Sequence, residues 1–407
     1  MQEIRFHGRG GQGTVVASIL LAKAFFRAGY DVQTFPLFGV ERRGAPVEAY
    51  LRLDRQKILT RNNVYTPDHV VVQDVKLLQG VDVTRGLKPG GWITAEYDVS
   101  PDAWYFRAEG ASTAPISIIL EIALQPCGWL AAYMGSALKS KKDLRFRNLG
   151  GRASLFRELS PDLKTVSVKT RLTKAAEAGD MIIEHFDFEI WHQDQQIYTG
   201  NTNFGFFSLE SLAVQAGIRD AQHRVYTPTR AELQRSRTHE FRNLAPLAPQ
   251  DPERVPARGM TLPAKALRMI DRIDAYIPDG GPKGLGFIRA TKRVDPREWF
   301  FDAHFYQDPV LPGSLGIESF VQLLKYIARQ RWPQLVDSHR FALLTGKPHQ
   351  WTYRGQILPK NRLITVEAVV TEVEEAPVPA IRAEGYLQVD GLYIYKMQDF
   401  GIKLVEI

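Results

Sequence analysis

The stretch Ala303-His304-Phe305-Tyr306-Gln307-Asp308-Pro309-Val310-Leu311-Pro312-Gly313-Ser314-Leu315-Gly316-Ile317-Glu318 decides the reading of this chain. It sets a histidine on a proline-stiffened loop, closes the loop with Pro312-Gly313, and enters an apolar helix bearing one carboxylate. Proline fixes φ, and glycine lets another group approach its backbone closely. The free N–H groups and the dipole at a helix start favour developing negative charge. Histidine suits a general base because its pKa lies near working pH. A base, an oxyanion site and an acid in one short span form a layout for proton transfer.

Outward from that stretch the chain repeats itself. Gly91-Trp92-Ile93-Thr94-Ala95 matches Gly286-Phe287-Ile288-Arg289-Ala290, and Val99, Pro101, Trp104 and Phe106 match Val294, Pro296, Trp299 and Phe301, each 195 residues later. Glu121 and Gln125 match Glu318 and Gln322 at an offset of 197, and Pro161 matches Pro359 at 198. Tyr198, Phe204 and Gly205 match Tyr395, Phe400 and Gly401 at 197 or 196. So small a drift means one fold with minor loop changes. Each copy reads strand, loop, long apolar helix, then strands. The helices are expected over 116–138 and 314–331, and the strands over 165–173, 181–191 and 196–207 against 363–373, 380–389 and 392–404. This is an α+β layout in which a sheet wraps one helix per copy, and two tandem copies imply a pseudo-twofold pair. Counting 195 back from His304 gives Glu109, so the first copy lacks the histidine.

The first ninety residues have a different texture. A strand over 3–7 leads into Gly8-Arg9-Gly10-Gly11-Gln12-Gly13, which fits G-x-G-x-x-G. A helix over 14–28 stops at Gly29, and strands follow at 31–35 and 69–72. This reads as the opening of a parallel α/β, Rossmann-like unit, with Asp31 near where a ribose-binding acid belongs. The expected division is a partial α/β segment over 1–90, a first repeat unit over 91–208, a Pro/Arg/Gln-rich linker over 209–263 and a second unit over 264–407.

Composition excludes several classes. Cys127 is the only cysteine among 407 residues, so an internal disulfide framework, a four-cysteine zinc site and a cysteine-bound iron–sulfur cluster are ruled out within the chain. One cysteine fits a reducing cytoplasm, and there is neither a signal pattern nor a membrane-length apolar run. The net charge is +7, but the cations are dispersed and interleaved with acids, so no nucleic-acid surface is expected. No His/Asp/Glu spacing indicates a metal, and no nucleophile elbow supports a serine hydrolase.

Trp299-Phe300-Phe301-Asp302-Ala303-His304-Phe305, Asp308-Pro309-Val310, Pro312-Gly313-Ser314-Leu315-Gly316 and Glu318 resemble the hot-dog-fold 3-hydroxyacyl-[acyl-carrier-protein] dehydratases. The first copy, with Asp102-Ala103-Trp104-Tyr105-Phe106-Arg107 and Glu121-Ile122-Ala123-Leu124-Gln125-Pro126-Cys127-Gly128-Trp129, is similar to the double hot-dog dehydratase regions of polyunsaturated fatty acid synthases. The resemblance implies a tandem hot-dog fold and a phosphopantetheine-linked acyl thioester in a tunnel between units, with no cofactor for dehydration. It implies acyl carrier protein as partner, with other synthase subunits possible, in a pseudo-dimeric monomer or a higher homo-oligomer. It makes His304 the base, Gly313 N–H the group that polarises the thioester carbonyl, and Glu121 of the other copy the acid. Glu318, left facing an incomplete site, is the alternative acid.

The N-terminal segment carries a second resemblance. Gly10-Gly11-Gln12-Gly13, Pro36-Leu37-Phe38-Gly39-Val40-Glu41-Arg42-Arg43-Gly44-Ala45-Pro46-Val47 and Leu87-Lys88-Pro89-Gly90-Gly91 resemble the gamma subunit of 2-oxoacid:ferredoxin oxidoreductases, at about half that domain's length. This implies a coenzyme A role, with Gly8, Gly10, Gly11, Gln12, Gly13, Arg42 and Arg43 as candidate binding residues. The alternatives to a dehydratase are a gamma-type oxidoreductase component, with the hot-dog part as scaffold, and a non-catalytic acyl-binding module. A composite sequence joined near residue 90 is a third.

Overall fold

The computed structural model describes residues 1–37, 44–74, 76–77, 80–88, 92–133, 143–178, 181–241 and 259–407. The chain opens with β1 (Gln2–Arg9), α1 (Thr14–Arg27), β2 (Asp31–Leu37), β3 (Pro46–Asp54) and β4 (His69–Val72). β3 lies between β1 and β2, antiparallel to both, whereas β4 runs parallel to β1 on its other side. The parallel opening expected from the sequence is therefore a mixed sheet. Strand β3 causes the difference, and its charged residues obscure its pattern. Arg52, 0% exposed, is held at 2.8 Å by Glu3 from the neighbouring strand.

The first repeat unit contains β5 (Trp92–Asp98), α2 (Trp104–Glu109), α3 (Ile116–Tyr133), β6 (Leu144–Leu155), β7 (Thr165–Ala178), β8 (Met181–His192) and β9 (Gln195–Ser208). Its antiparallel order is β5-β7-β8-β9-β6. Then come α4 (Leu209–Ala213), α5 (Ala221–Arg224), α6 (Arg230–Gln234) and β10 (Arg237–Glu240). The second unit contains β11 (Arg272–Ile277), β12 (Phe287–Arg293), α7 (Phe300–Ala303), α8 (Gly313–Arg331), β13 (His339–Leu343), β14 (Pro348–Tyr353), β15 (Leu363–Glu374), β16 (Ala380–Val389) and β17 (Leu392–Glu406). Its order is β11-β12-β15-β16-β17, with β13 and β14 sharing the far edge of β17.

Each unit is one long helix in the lap of an antiparallel sheet: a hot-dog, made twice. Helix α8 is buried along its whole length from Ser314 to Ala328, polar residues included. A helix buried on all sides belongs to a core, and here the sheet covers one face and α3 part of the other. The core runs through both units, from Ile119, Phe186 and Phe188 to Phe320 and Leu324. The units join where β6 pairs with β14, Gly150 opposite Thr352 and Ser154 opposite Pro348. An offset of 198 exchanges these two pairs, so the junction itself obeys the pseudo-twofold.

Two features depart from a plain tandem. Strand β5 is parallel to β4 on one edge and antiparallel to β7 on the other. In the second unit the equivalent strand β12 has β11 on that edge, running antiparallel. The N-terminal segment thus supplies the strand that β11 supplies elsewhere, and one sheet crosses the change in sequence texture. Within the stretch expected as a linker, β10 adds a strand to β11, and α6 begins with a capping box between Thr229 and Glu232. Residues 242–258 and 134–138, the latter the end of the expected first helix, lie outside the described residues. Among the described residues no helix is long and apolar enough to cross a membrane.

Candidate active site

His304 closes the short helix α7, which Phe300 and Phe301 anchor in the core. Its Nδ1 lies 2.9 Å from the Val310 carbonyl, so the ring N–H donates there and Nε2 keeps its lone pair. The loop is tied down as well by Leu311 N–H, which donates to Ile357 O at 3.0 Å. Burial lowers the pKa of His304, against the opposing pull of Glu121 and the Val310 carbonyl. The neutral, proton-accepting form is therefore favoured.

Glu121 comes from α3 of the other unit. Ser314, in the first turn of α8, donates from Oγ to Glu121 Oε1 at 2.5 Å. His304, Glu121 and Gly313 line one cavity of about 420 Å³. Its walls include Phe146, Phe204, Leu124 and Gly128. A second cavity of about 270 Å³ shares Glu121, Gln125, His304 and Ser314 with the first. The repeat mates Trp104 and Trp299 wall it, edge to face at 5.1 Å. His304, Glu121, Gln125 and Ser314 thus sit where the two cavities meet, concave spaces with aromatic walls and a few polar groups.

Glu318 is elsewhere. It is 0% exposed, and Ser117 donates to its Oε2 from Oγ at 3.2 Å and from N–H at 3.4 Å. Ser117 and Glu318 repeat the Ser314–Glu121 arrangement with the units exchanged. In place of a histidine stands Glu109, ion-paired with Lys325, which also lies 3.9 Å from Glu318. Burial raises the pKa of Glu109, with Lys325 opposing. Burial alone would lower Lys325, but its two carboxylates hold it above its usual value. At the mirror position a buried Glu109–Lys325 ion pair stands where the other site has His304.

Several cavity residues escaped the sequence reading. Tyr353 packs its ring on Gly313, where a Cβ would come within 2.8 Å of it. Arg147 reaches from β6 to the histidine loop, donating to both Asp308 oxygens at 2.7 and 2.8 Å and to Gln356 Oε1 at 2.9 Å. Neither has a local signal. Ser314 had one, since Ser117 precedes it by the repeat offset of 197.

The glycine loop of the N-terminal segment lies apart from these cavities. Gly11 and Gly13 have φ of 95° and 79°, which glycine alone adopts at little cost. Gln12 Oε1 accepts from Arg9 N–H at 2.7 Å, and its amide donates to Asp74 at 3.1 Å. A Cβ on Gly8 would collide with Thr14 Oγ1, while Gly10 donates to Ala45 O at 2.9 Å. Asp31 accepts the Ile58 N–H at 2.6 Å. Arg42 and Arg43 lie outside the described residues.

Comparison with known proteins finds two families along the chain. The FabA-like domain profile matches residues 73–201 and 262–398, more than half of the chain. The chain belongs to the FabA-like domain family. A pyruvate ferredoxin/flavodoxin oxidoreductase profile matches residues 3–133, overlapping the first. A polyunsaturated fatty acid synthase subunit of Thraustochytrium sp. is 33% identical over 337 residues, covering 77% of this chain and 22% of that protein. Pyruvate synthase subunit PorC of Methanocaldococcus jannaschii is 59% identical over 93 residues, covering 23% of this chain and 52% of that one. The chain therefore spans about a fifth of the first relative's length and about half of the second's. Among solved structures, the dehydratase domain from the CurJ module of Curacin polyketide synthase aligns with 79% of this chain and 94% of its own, at 11% identity and a TM-score of 0.41. The segment before the tandem hot-dog is gamma-subunit-like.

Proposed function

We propose that this protein dehydrates 3-hydroxyacyl thioesters to trans-2-enoyl thioesters. The observation that carries the reading is the meeting of His304, Gly313 and Glu121, from two units, on one apolar cavity. His304 Nε2 takes the proton alpha to the thioester, and the electron pair passes toward the carbonyl oxygen. The Gly313 N–H and the start of α8 stabilise that oxygen. Glu121 gives its proton to the leaving hydroxyl, which departs as water, and the double bond forms. Ser314 orients Glu121. Family membership and the synthase relative support an acyl chain carried on the phosphopantetheine arm of an acyl carrier protein, within a larger synthase.

In this reading residues 91–208 and 264–407 are the two halves of one catalytic body, 209–263 connects them, and 1–90 is an appended unit. The unpaired buried Thr14 Oγ1 and Gln73 Oε1 beside the glycine loop support a ligand there, for which coenzyme A is our candidate.

The test is turnover of a 3-hydroxyacyl thioester by the unmodified protein, His304→Ala, Glu121→Gln and Glu318→Gln. The first two substitutions are expected to abolish activity and the third to leave most of it. Full activity in His304→Ala would sink the mechanism. Loss in Glu318→Gln alone would sink the cross-unit pairing.

A further inference from the structure

The hydroxyl of Tyr353 is buried without a hydrogen-bond partner, in a residue only 5% exposed. An unmet buried hydroxyl is costly, so its retention needs a cause. Its location supplies one. Tyr353 lines the cavity with Gly313, and a Cβ built on Gly313 would stand 3.0 Å from Tyr353 Oη. The hydroxyl and the first N–H of α8 are therefore neighbours at the edge of the same space. Burial, with Tyr395, Glu121 and Tyr198 nearby, keeps the phenol protonated far beyond working pH. It can donate but not act as a base.

The internal repeat supplies a comparison. Tyr353 faces Tyr395 across the β14–β17 ladder, and Leu155 faces Tyr198 across β6–β9. Tyr198 and Tyr395 are repeat mates, so Leu155 is the counterpart of Tyr353. The unit that lost its histidine to Glu109 thus carries a hydrocarbon at this position and packs it to 1% exposure. The fold accepts an apolar residue here. The hydroxyl occurs only in the unit that has the histidine.

We propose that Tyr353 Oη donates a hydrogen bond to the thioester carbonyl oxygen of the substrate, as a second donor beside the Gly313 N–H. When His304 removes the α-proton, the C–H pair forms the Cα–C double bond and the carbonyl π pair moves onto oxygen. Tyr353 holds that oxygen and keeps its own proton throughout. The assignment rests on the dehydratase reading above.

The test compares full-length unmodified protein with Tyr353→Phe, which keeps the ring against Gly313, on a 3-hydroxyacyl N-acetylcysteamine thioester. Loss of one oxyanion donor should lower kcat on the order of 100-fold. KM should stay within about threefold, the pH profile should keep its shape, and Tm should not fall. A kcat within about twofold of the unmodified enzyme would overturn the assignment. So would a kcat loss accompanied by a clear drop in Tm, the mark of a merely structural role. No turnover by the unmodified protein would overturn the dehydratase reading, and this assignment with it.

Discussion

Arg147 of the first unit grips Asp308 of the second through two parallel bonds of 2.7 and 2.8 Å. Although burial opposes it, the guanidinium holds the Asp308 carboxylate below its ordinary pKa range. Asp308 lies four residues beyond His304, and Arg147 also stacks over Phe305 at 5.7 Å. The loop that carries His304 is therefore fixed by the other half of the molecule. Arg147→Ala is expected to lower kcat by about 10- to 100-fold, because small misplacements of a reacting group carry losses of that order. Arg147→Lys should recover little of this, since an ammonium cannot make the paired bonds. Steady-state kinetics on both variants, with circular dichroism as the check on folding, decide the point.

Acid should destabilise the fold through its buried histidines. Burial lowers the pKa of His349 to about 4, and Tyr198 Oη lies 2.9 Å from its Nε2. The unfolded chain binds the proton at its ordinary pKa and the folded one does not. The contribution is thus full above about 6.5 and is lost as pH falls toward 4. Between pH 7 and pH 5 it amounts to about 2 kcal/mol for this one group. Urea unfolding at the two pH values should show the loss, and His349→Gln should lose about that much less on acidification. Equal acid sensitivity in both proteins would refute the account.

Lys325 compensates two buried carboxylates, Glu109 and Glu318. Lys325→Met should cost about 3–5 kcal/mol of stability, since it leaves buried charge unpaired. Replacing the pair together, with Glu109→Leu and Lys325→Met, should recover part of that loss, because it removes one of the two carboxylates and leaves only Glu318 without its cation. Chemical denaturation of the single and double variants measures this directly.

Gly128 opens the cavity wall. A Cβ there would meet the Phe146 ring at 3.3 Å, and both residues face the larger cavity. Gly128→Leu should shorten the acyl chain that fits. Each excluded methylene is worth about 0.8 kcal/mol, so long substrates should lose at least about tenfold in kcat/KM relative to short ones. A uniform loss across chain lengths would place the acyl tail elsewhere.

The tandem fold and the candidate site were legible in the sequence because the site's residues lie on local motifs and the repeat relates them. The His304 loop, the start of α8 and Glu121 are each recognisable from their neighbours, and the offset of 197 links the two acids. Tyr353 and Arg147 were not legible, because their partners are set by the β6–β14 junction and by ladders that join distant residues. Glu318 sits in the most suggestive motif of the chain, yet its surroundings depend on Glu109 and Lys325, whose meeting no local pattern announces. Strand β3 was missed because the buried charge of Arg52 conceals its alternation.

Strand β5 gives the gamma-like segment a role that needs no ligand. A sheet that ends in open N–H and C=O groups invites pairing with another chain. In the second unit β11 and then β10 terminate the sheet. In the first, β4 and the strands beyond it do so. The segment therefore covers the β5 edge of the first unit's sheet. A protein trimmed to the dehydratase-like portion alone would carry a bare edge at β5, and its tendency to self-associate would measure how much that cover matters.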